Sequence, residues 1–325
     1  MKRVLVTGGC GFIGSNFIRL FLGKLPDVQL VNFDKLTYAG NKENLKDLDA
    51  DSRYSFMQAD ISNPKAAAEA MKGSDLVVHF AAESHVDRSI LDAADFLKTN
   101  IIGTQTLLEA ARDCGVKRFV HISTDEVYGS LLEGAAEEGD PLSPNSPYAA
   151  SKASAEHFVR AHHVTYGLPT VVVRGTNNFG PYQFPEKFVP LMITNAMANE
   201  PLPVYGDGKY VREWIHVEDF CEAILLAAER GTAGEIYNAG SGEHRENMDV
   251  IATILKMTGK PPTLIRHVTD RLGHDRRYAV NSEKIRSLGW VPKKRFDRAI
   301  EETIRWYETN RPWWQPLKAR VVASR

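Results

Sequence analysis

The sequence predicts a doubly wound, parallel α/β sheet with a smaller C-terminal α/β region, on three observations. A short β-type run near the N-terminus leads through a glycine-punctuated turn into a helical pattern. Short apolar runs then alternate with helical rhythm as far as residue 174. Several of those runs stop at polar groups, and side chains that end a parallel strand face the crevice where ligands bind.

Residues 3–7 form the first run, followed by T-G-G-C-G-F-I-G and S-N-F-I-R-L-F-L. Gly8, Gly11 and Gly14 are spaced G-x-x-G-x-x-G. The first permits the tight turn, the second lets backbone amides approach a diphosphate, and the third lets helix and strand pack closely. A glycine triplet alone is weak, but the strand before it and the helix after it make a dinucleotide site the better reading. Residues 28–33 form a second strand ending at Asp34, where a carboxylate accepts hydrogen bonds from ribose hydroxyls and repels a 2′-phosphate. NAD is therefore favoured over NADP, although the neighbouring Lys35 softens that preference.

A third strand, 54–59, ends at Asp60, whose side chain suits an adenine amino group. A fourth, 76–82, ends in Ala81 and Ala82, small where a dinucleotide needs close approach. Glu83, Ser84, His85, Asp87 and Arg88 follow, but one His among loop carboxylates lacks a second ligand pair, so no metal is expected. Residues 96–114 read as a long amphipathic helix.

The stretch that carries chemistry is 118–152. Residues 119–123 suit a buried strand and stop at Thr124, Asp125 and Glu126. Ser146 is placed to cap a helix with Pro147 at its first position, which puts Tyr148 and Lys152 one turn apart on one face. A phenol has a pKa of about 10, so using Tyr148 as a base near neutrality requires a shift of roughly 3 units, about 4 kcal/mol. Lys152, or the positive ring of an oxidised nicotinamide, would supply much of it. Alone, Tyr-x-x-x-Lys is a chance spacing; it gains weight from the independent glycine turn. Adjacent carboxyls reach one ligand only if the strand has ended in a turn, because neighbours in an extended chain point to opposite sides.

After a sixth strand at 170–174 the alternation fails and prolines and glycines crowd the chain. The division expected is 1–175, a dinucleotide-binding domain with the catalytic groups, and 176–325, mainly a ligand-binding region with some chain returning to the first. Arg212, Arg271, His274, Arg276 and Arg277 supply basic groups there, suited to phosphate or, for the last two, equally to a solvated surface. Trp306, Trp313 and Trp314 read as packing or interface residues.

Forty basic against forty-one acidic residues leave a net charge of −1, which points to neither nucleic acid nor a membrane surface as partner. Cys10, Cys114 and Cys221 form no C-x-x-C and read as reduced thiols. Glycines interrupt the N-terminal apolar run, and no uncharged run approaches membrane-spanning length, so the cytoplasm is expected.

The motifs G-G-C-G-F-I-G, A-A-E-S-H-V-D-R-S-I, S-T-D-E-V-Y-G, P-Y-A-A-S-K, N-N-F-G-P-Y-Q-F-P-E-K, V-R-E-W and G-H-D-R-R-Y-A together resemble the dTDP-glucose 4,6-dehydratase family of extended short-chain dehydrogenase/reductases, over nearly the whole chain. The resemblance implies a Rossmann-type domain, NAD as tightly held cofactor and a homodimer joined through helices, with 96–114 and 149–166 as candidates. It implies that dTDP-glucose is oxidised at C4, loses water across C5 and C6, and regains hydride at C6. In that scheme Tyr148 is the base at the C4 hydroxyl, Thr124 bonds that oxygen, and Lys152 binds the nicotinamide ribose and lowers the tyrosine pKa. Glu126 takes the C5 proton and Asp125 protonates the departing C6 hydroxyl.

By the same resemblance Gly8, Gly11, Phe12, Ile13, Gly14, Asp34, Lys35, Thr37, Asp60, Ile61, Ala81, Ala82, Thr99 and Asn178 fall at cofactor positions, with Tyr148 and Lys152. Ser84, Asn177, Glu186, Lys187, Pro203, Tyr205, Arg212, Asn247, Arg271 and His274 fall at nucleotide-sugar positions, with Thr124. Leu272 replaces a customary proline. A nucleotide-sugar 4-epimerase or decarboxylase would share the cofactor site and the Tyr/Lys pair, but usually lacks the acid pair. A non-catalytic NAD-binding regulatory protein would not need the five reactive groups intact.

Overall fold

The computed structural model describes residues 1–323. Strand β1 (Arg3–Thr7) leads into α1 (Phe12–Lys24), followed by β2 (Gln29–Asp34), β3 (Tyr54–Gln58), α2 (Pro64–Met71), β4 (Leu76–His79) and α3 (Val86–Leu91). A long helical stretch comprises α4 (Ala94–Phe96), a π-helical segment (Leu97–Gly103) and α5 (Thr104–Asp113). Strand β5 (Arg118–Thr124) ends in a 3-10 turn (Asp125–Tyr128), and α6 (Pro147–Tyr166) leads to β6 (Thr170–Gly175). Beyond it come β7 (Asn177–Phe179), α7 (Phe188–Ala198), β8 (Leu202–Tyr205), β9 (Val211–His216), α8 (Val217–Arg230) and β10 (Ile236–Ala239). The chain finishes with β11 (His244–Glu246), α9 (Asn247–Thr258), β12 (Ile265–Val268), α10 (Glu283–Ser287), α11 (Phe296–Thr309) and α12 (Arg311–Ala323).

Seven strands form one sheet in the order β3-β2-β1-β4-β5-β6-β10, every pairing parallel. Its central strands are apolar on both faces because helices cover both, so Val4, Leu5, Val6, Val77 and Val78 are wholly buried. On one face Phe17 and Phe21 of α1 meet Phe220 and Ile224 of α8; on the other Met71, Leu107, Leu108 and Val159 line the inner sides of α2, α5 and α6. Each such burial contributes about 1.5–3 kcal/mol. The strand order reverses between β1 and β4, which opens a crevice at the strands' carboxyl ends.

Two expected elements differ in detail. Strand β4 stops at His79 rather than at residue 82, because the chain must pass over the glycine turn: a Cβ on Gly8 would lie 2.6 Å from Ala81 Cα. The helix over 96–114 is interrupted by its π segment. There Asn100 turns its side chain into the protein, donating to Glu83 O at 3.0 Å and Ser151 Oγ at 2.8 Å.

The later chain builds a second core from α7, α9, α11 and the strands β8 and β9, with Phe179, Trp214, Phe296 and Tyr307 inside it. Its sheets are small, β11-β9-β7 and β12-β8. Meanwhile α8 and β10 return to the large sheet. Trp314 is buried and donates to Tyr307 O at 2.8 Å, while Trp306 and Trp313 pack edge-on against Tyr182. Cys10 and Cys221 are buried free thiols and Cys114 is an exposed one. No described helix is long and apolar enough to cross a membrane.

Candidate active site

The crevice begins at the glycine turn. Gly8 has φ +69°, and a Cβ on Gly14 would stand 2.4 Å from Gly8 O, so neither position accepts a larger residue without moving backbone. A Cβ on Gly11 would meet Gly8 O alone, at 3.2 Å, and otherwise project into open space. Asp34 closes β2 with both oxygens engaged, Oδ2 accepting from Cys10 N at 2.9 Å and Oδ1 from Leu36 N at 2.7 Å. Burial raises its pKa and these two bonds oppose the rise. Lys35 lies 2.9 Å from Asp60. Burial pushes the Asp60 carboxyl up, but Lys35 and Ser62 outweigh it and hold it at about 2. Phe12, Ile13, Thr37 and Ile61 line the same crevice, as do Ala81, Ala82, Thr99 and Asn178.

Thr124, the last residue of β5, caps the 3-10 turn, its Oγ1 accepting from Glu126 N at 3.2 Å. The turn ends the strand's alternation, and Asp125 and Glu126 both face the crevice. Packed against this turn, α6 starts with Ser146 Oγ accepting from Ala149 N at 3.1 Å and Pro147 in its first turn. Tyr148 and Lys152 of that helix line the crevice too.

Burial drives the charges of this group. Asp125 is raised well above the usual carboxylate range by burial, then by Glu126 and Glu213. Glu126 is raised by burial but pulled back by Arg271, Arg212 and Lys187. Both carboxyls are thus raised by burial, and only Glu126 has the rise opposed by three cations, with Arg212 alone acting weakly on Asp125. Tyr148 is pushed up by burial, with Glu126 and Asp125 adding to the rise and a hydrogen bond with Thr124 opposing it. Lys152 is lowered to about 8 by burial. Its ammonium donates to Ile122 O at 2.6 Å and lies 3.4 Å from His121 Nε2. That carbonyl of β5 anchors the ammonium one helical turn along α6 from Tyr148.

Of the expected nucleotide-sugar residues, Ser84, Asn177 and Lys187 line the crevice with Thr124, and Lys187 Nζ donates to Ser84 O at 2.7 Å. The others lie outside that lining. Glu186 is buried and paired with Arg88 at 3.1 Å. Pro203 stands opposite Arg266 in the β8/β12 ladder, and Asn247 N donates to Tyr210 O at 3.0 Å. Arg212 is buried, donating to Asp275 O at 2.9 Å. Tyr205 donates to Asp87 at 2.9 Å, with Arg271 3.8 Å from the same carboxylate. His274 stacks on Tyr210 with ring centroids 3.6 Å apart. Although grouped above with the cations, it is held neutral: burial lowers it to about 4 despite its bond to Asp270. Arg276 is paired with Asp207 at 2.8 Å on the surface, and Arg277 bonds the carbonyls of Leu131 and Gly134.

Sequence reasoning missed several lining residues, among them Glu83, Ser123, Thr176, Gln183 and Phe220. Ser123 and Thr176 adjoin residues already singled out, so strand-end position was the available signal; Phe220 arrives from α8 and had none. Within this lining Ser123 Oγ, Asp125 Oδ2, Thr176 Oγ1, Asn177 Oδ1 and Asn178 Oδ1 are buried without a hydrogen-bond partner in the protein. Buried polar atoms are normally satisfied, so this set is suited to a polar ligand such as a dinucleotide with a sugar beside it.

A Rossmann-type crevice lined by a Tyr/Lys helix and a carboxyl pair defines a dinucleotide-dependent enzyme of the short-chain dehydrogenase class. The family model for GDP-mannose 4,6 dehydratase matches residues 5–303. A dTDP-glucose 4,6-dehydratase of Streptomyces niveus is 50% identical, covering 99% of this chain and 97% of that protein. The crystal structure of DesIV, a dTDP-glucose 4,6-dehydratase from Streptomyces venezuelae with NAD and TYD bound, superposes with a TM-score of 0.95 at 51% identity, covering 97% of this chain and 99% of that one. The Bacillus anthracis dTDP-glucose 4,6-dehydratase in complex with NAD gives a TM-score of 0.91 at 44% identity, covering 98% and 100%. The chain belongs to the dTDP-glucose 4,6-dehydratase family.

Proposed function

We propose that this crevice converts dTDP-glucose to dTDP-4-keto-6-deoxyglucose and water, with NAD held throughout the cycle. The glycine turn, Asp34 and the Lys35–Asp60 pair are the groups that would hold the dinucleotide, whose nicotinamide takes hydride from C4 and returns it to C6. Tyr148, bonded to Thr124, receives the C4 hydroxyl proton. Lys152 keeps a positive charge at the base of that wall. The ketone at C4 acidifies C5, and Glu126, whose ionised form Arg271, Arg212 and Lys187 favour against its burial, takes the C5 proton. Asp125 holds the proton that the departing C6 hydroxyl needs in order to leave as water, and Glu126 returns a proton to C5 as hydride is added at C6. Two like carboxyls in one dry site split into an acid and a base, the division this elimination requires.

The single observation that carries the reading is this carboxyl pair lining one crevice with Tyr148 and Lys152. A 4-epimerase needs the tyrosine and the dinucleotide but has no use for a buried acid beside a base. Ser84, Asn177 and Lys187 border the sugar in this reading, and Arg212, Arg271, His274, Tyr205, Glu186, Pro203 and Asn247 serve the nucleotide and diphosphate beyond it. A cytoplasmic homodimer is the assembly we assign; Ile102, Phe158, Val164 and Tyr166 leave apolar surface exposed along the two helices expected to join the copies. The test is incubation with dTDP-glucose and NAD, followed by the alkaline absorbance of a 4-keto sugar. Turnover of UDP-galactose in place of dTDP-glucose would favour the epimerase.

A further inference from the structure

The reacting groups stand on two elements, Tyr148 and Lys152 on α6 and Asp125 and Glu126 on the 3-10 turn after β5. Behind them lies a buried ion pair that touches both. Glu156 is four residues past Lys152, so it continues the face of α6 that carries Tyr148 and Lys152. Its carboxylate accepts from Arg174 of β6, Nε to Oε1 at 3.0 Å and Nη2 to Oε2 at 2.5 Å. The side chains of Arg174 and Glu156 are 2% and 3% exposed. The remaining arm of the fork, Arg174 Nη1, donates to the phenol oxygen of Tyr128 at 2.5 Å. Tyr128 is the last residue of the turn that bears Asp125 and Glu126. It donates onward to Asn238 Oδ1 at 2.8 Å, and Asn238 Nδ2 bonds Ala136 O at 3.1 Å.

A pair this dry costs several kcal/mol per ion in desolvation, and apolar side chains of equal volume are often as stable or more so. Stability alone is therefore a poor reason for it. What the fork provides is a rigid joint, since a planar guanidinium fixes two partners at a set angle. Glu156 also favours the charged form of Lys152 against its burial.

We infer that Arg174, held by Glu156, is a positioning residue that sets the register between the Tyr148/Lys152 helix and the Asp125/Glu126 turn, so that oxidation and elimination meet on one sugar ring. The inference rests on the two-stage reaction proposed above. The turn is four residues long and α6 is twenty, so loosening the joint is expected to free the turn more than the helix and to slow the second stage first.

Two variants test it in the holoenzyme. Tyr128→Phe removes one oxygen and leaves the Glu156–Arg174 pair intact; Arg174→Lys keeps the charge but cannot fork to both partners. With dTDP-glucose in deuterated water, C4 oxidation is followed by the near-ultraviolet absorbance of reduced dinucleotide, and elimination by deuterium at C5 of the product. Product formation is expected to slow about fivefold in Tyr128→Phe and about twentyfold in Arg174→Lys, with C4 oxidation slowed by less than about twofold, so that reduced dinucleotide accumulates. Equal slowing of both stages would overturn the positioning role and leave a merely structural one, as would a Tyr128→Phe enzyme indistinguishable from wild type. Wild-type protein that forms no product from dTDP-glucose would overturn the reaction beneath the inference, and the inference with it.

Discussion

The two halves of this chain prepare for their ligands in opposite ways. In the first, residues at strand ends and in the glycine turn are fixed largely by backbone groups, as Asp34 is by Cys10 N and Leu36 N, and leave polar atoms such as Ser123 Oγ and Asp125 Oδ2 without protein partners. In the later half several ligand-facing candidates are tied to carboxylates, although Asn177 Oδ1, Glu186 Oε1 and Arg271 Nε also lack hydrogen-bond partners. Tyr205 bonds Asp87, His274 bonds Asp270, and Arg271 lies near Asp87. The first arrangement is preorganised for chemistry, with its desolvation cost already met by the fold. The second must exchange protein partners for ligand, which suits binding that is tuned rather than rate-determining.

The contrast is broken most severely if Tyr148→Phe survives. That variant is expected to lower the rate of the first hydride transfer by about a thousandfold, some 4 kcal/mol, and a single-turnover rate within about tenfold of wild type would refute the assignment. Glu126→Gln is expected to cost about a hundredfold in overall turnover while keeping cofactor binding and some C4 oxidation. Its substrate should show no solvent deuterium at C5, and undiminished uptake would remove Glu126 from its role.

The later half should respond through binding. Arg271→Met is expected to raise KM about tenfold and change kcat less than about threefold; an equal loss in kcat would erase the distinction between the halves. The same variant yields the smallest effect, in the pH profile. Glu126 must be ionised to act, and its pKa is already raised, so activity falls on the acid side as pH drops through a value above the ordinary glutamate 4.5. Arg271 lowers that pKa. Removing it should move the acid limb of kcat to higher pH, by less than about one unit, and movement to lower pH would contradict the sign of the interaction.

The same divide governs what could be read from the sequence. Tyr148 and Lys152 are neighbours through a helical period, Thr124 to Glu126 through a strand end, and Gly8 to Gly14 through a turn; each relation spans a few residues and leaves a pattern. The 3-10 turn that brings Asp125 and Glu126 onto one side was a stated requirement, and Thr124 meets it by capping Glu126 N. The engagement of Lys152 with Ile122 O crosses thirty residues, and Phe220 enters the crevice from a helix that packs on α1. Nothing local announces either. The π segment at residues 97–103 was equally hidden; within it Asn100 reaches Glu83 and Ser151, partners distant in sequence.

The central claim is that one dinucleotide, one phenol and one unequal carboxyl pair act in turn on a single sugar. It is tested most directly by supplying dTDP-glucose deuterated at C4 and examining the product by NMR or mass spectrometry. The account requires that deuterium to be found on C6 of the 4-keto-6-deoxy sugar. Product carrying only solvent hydrogen at C6, or label lost to bulk water, would contradict it.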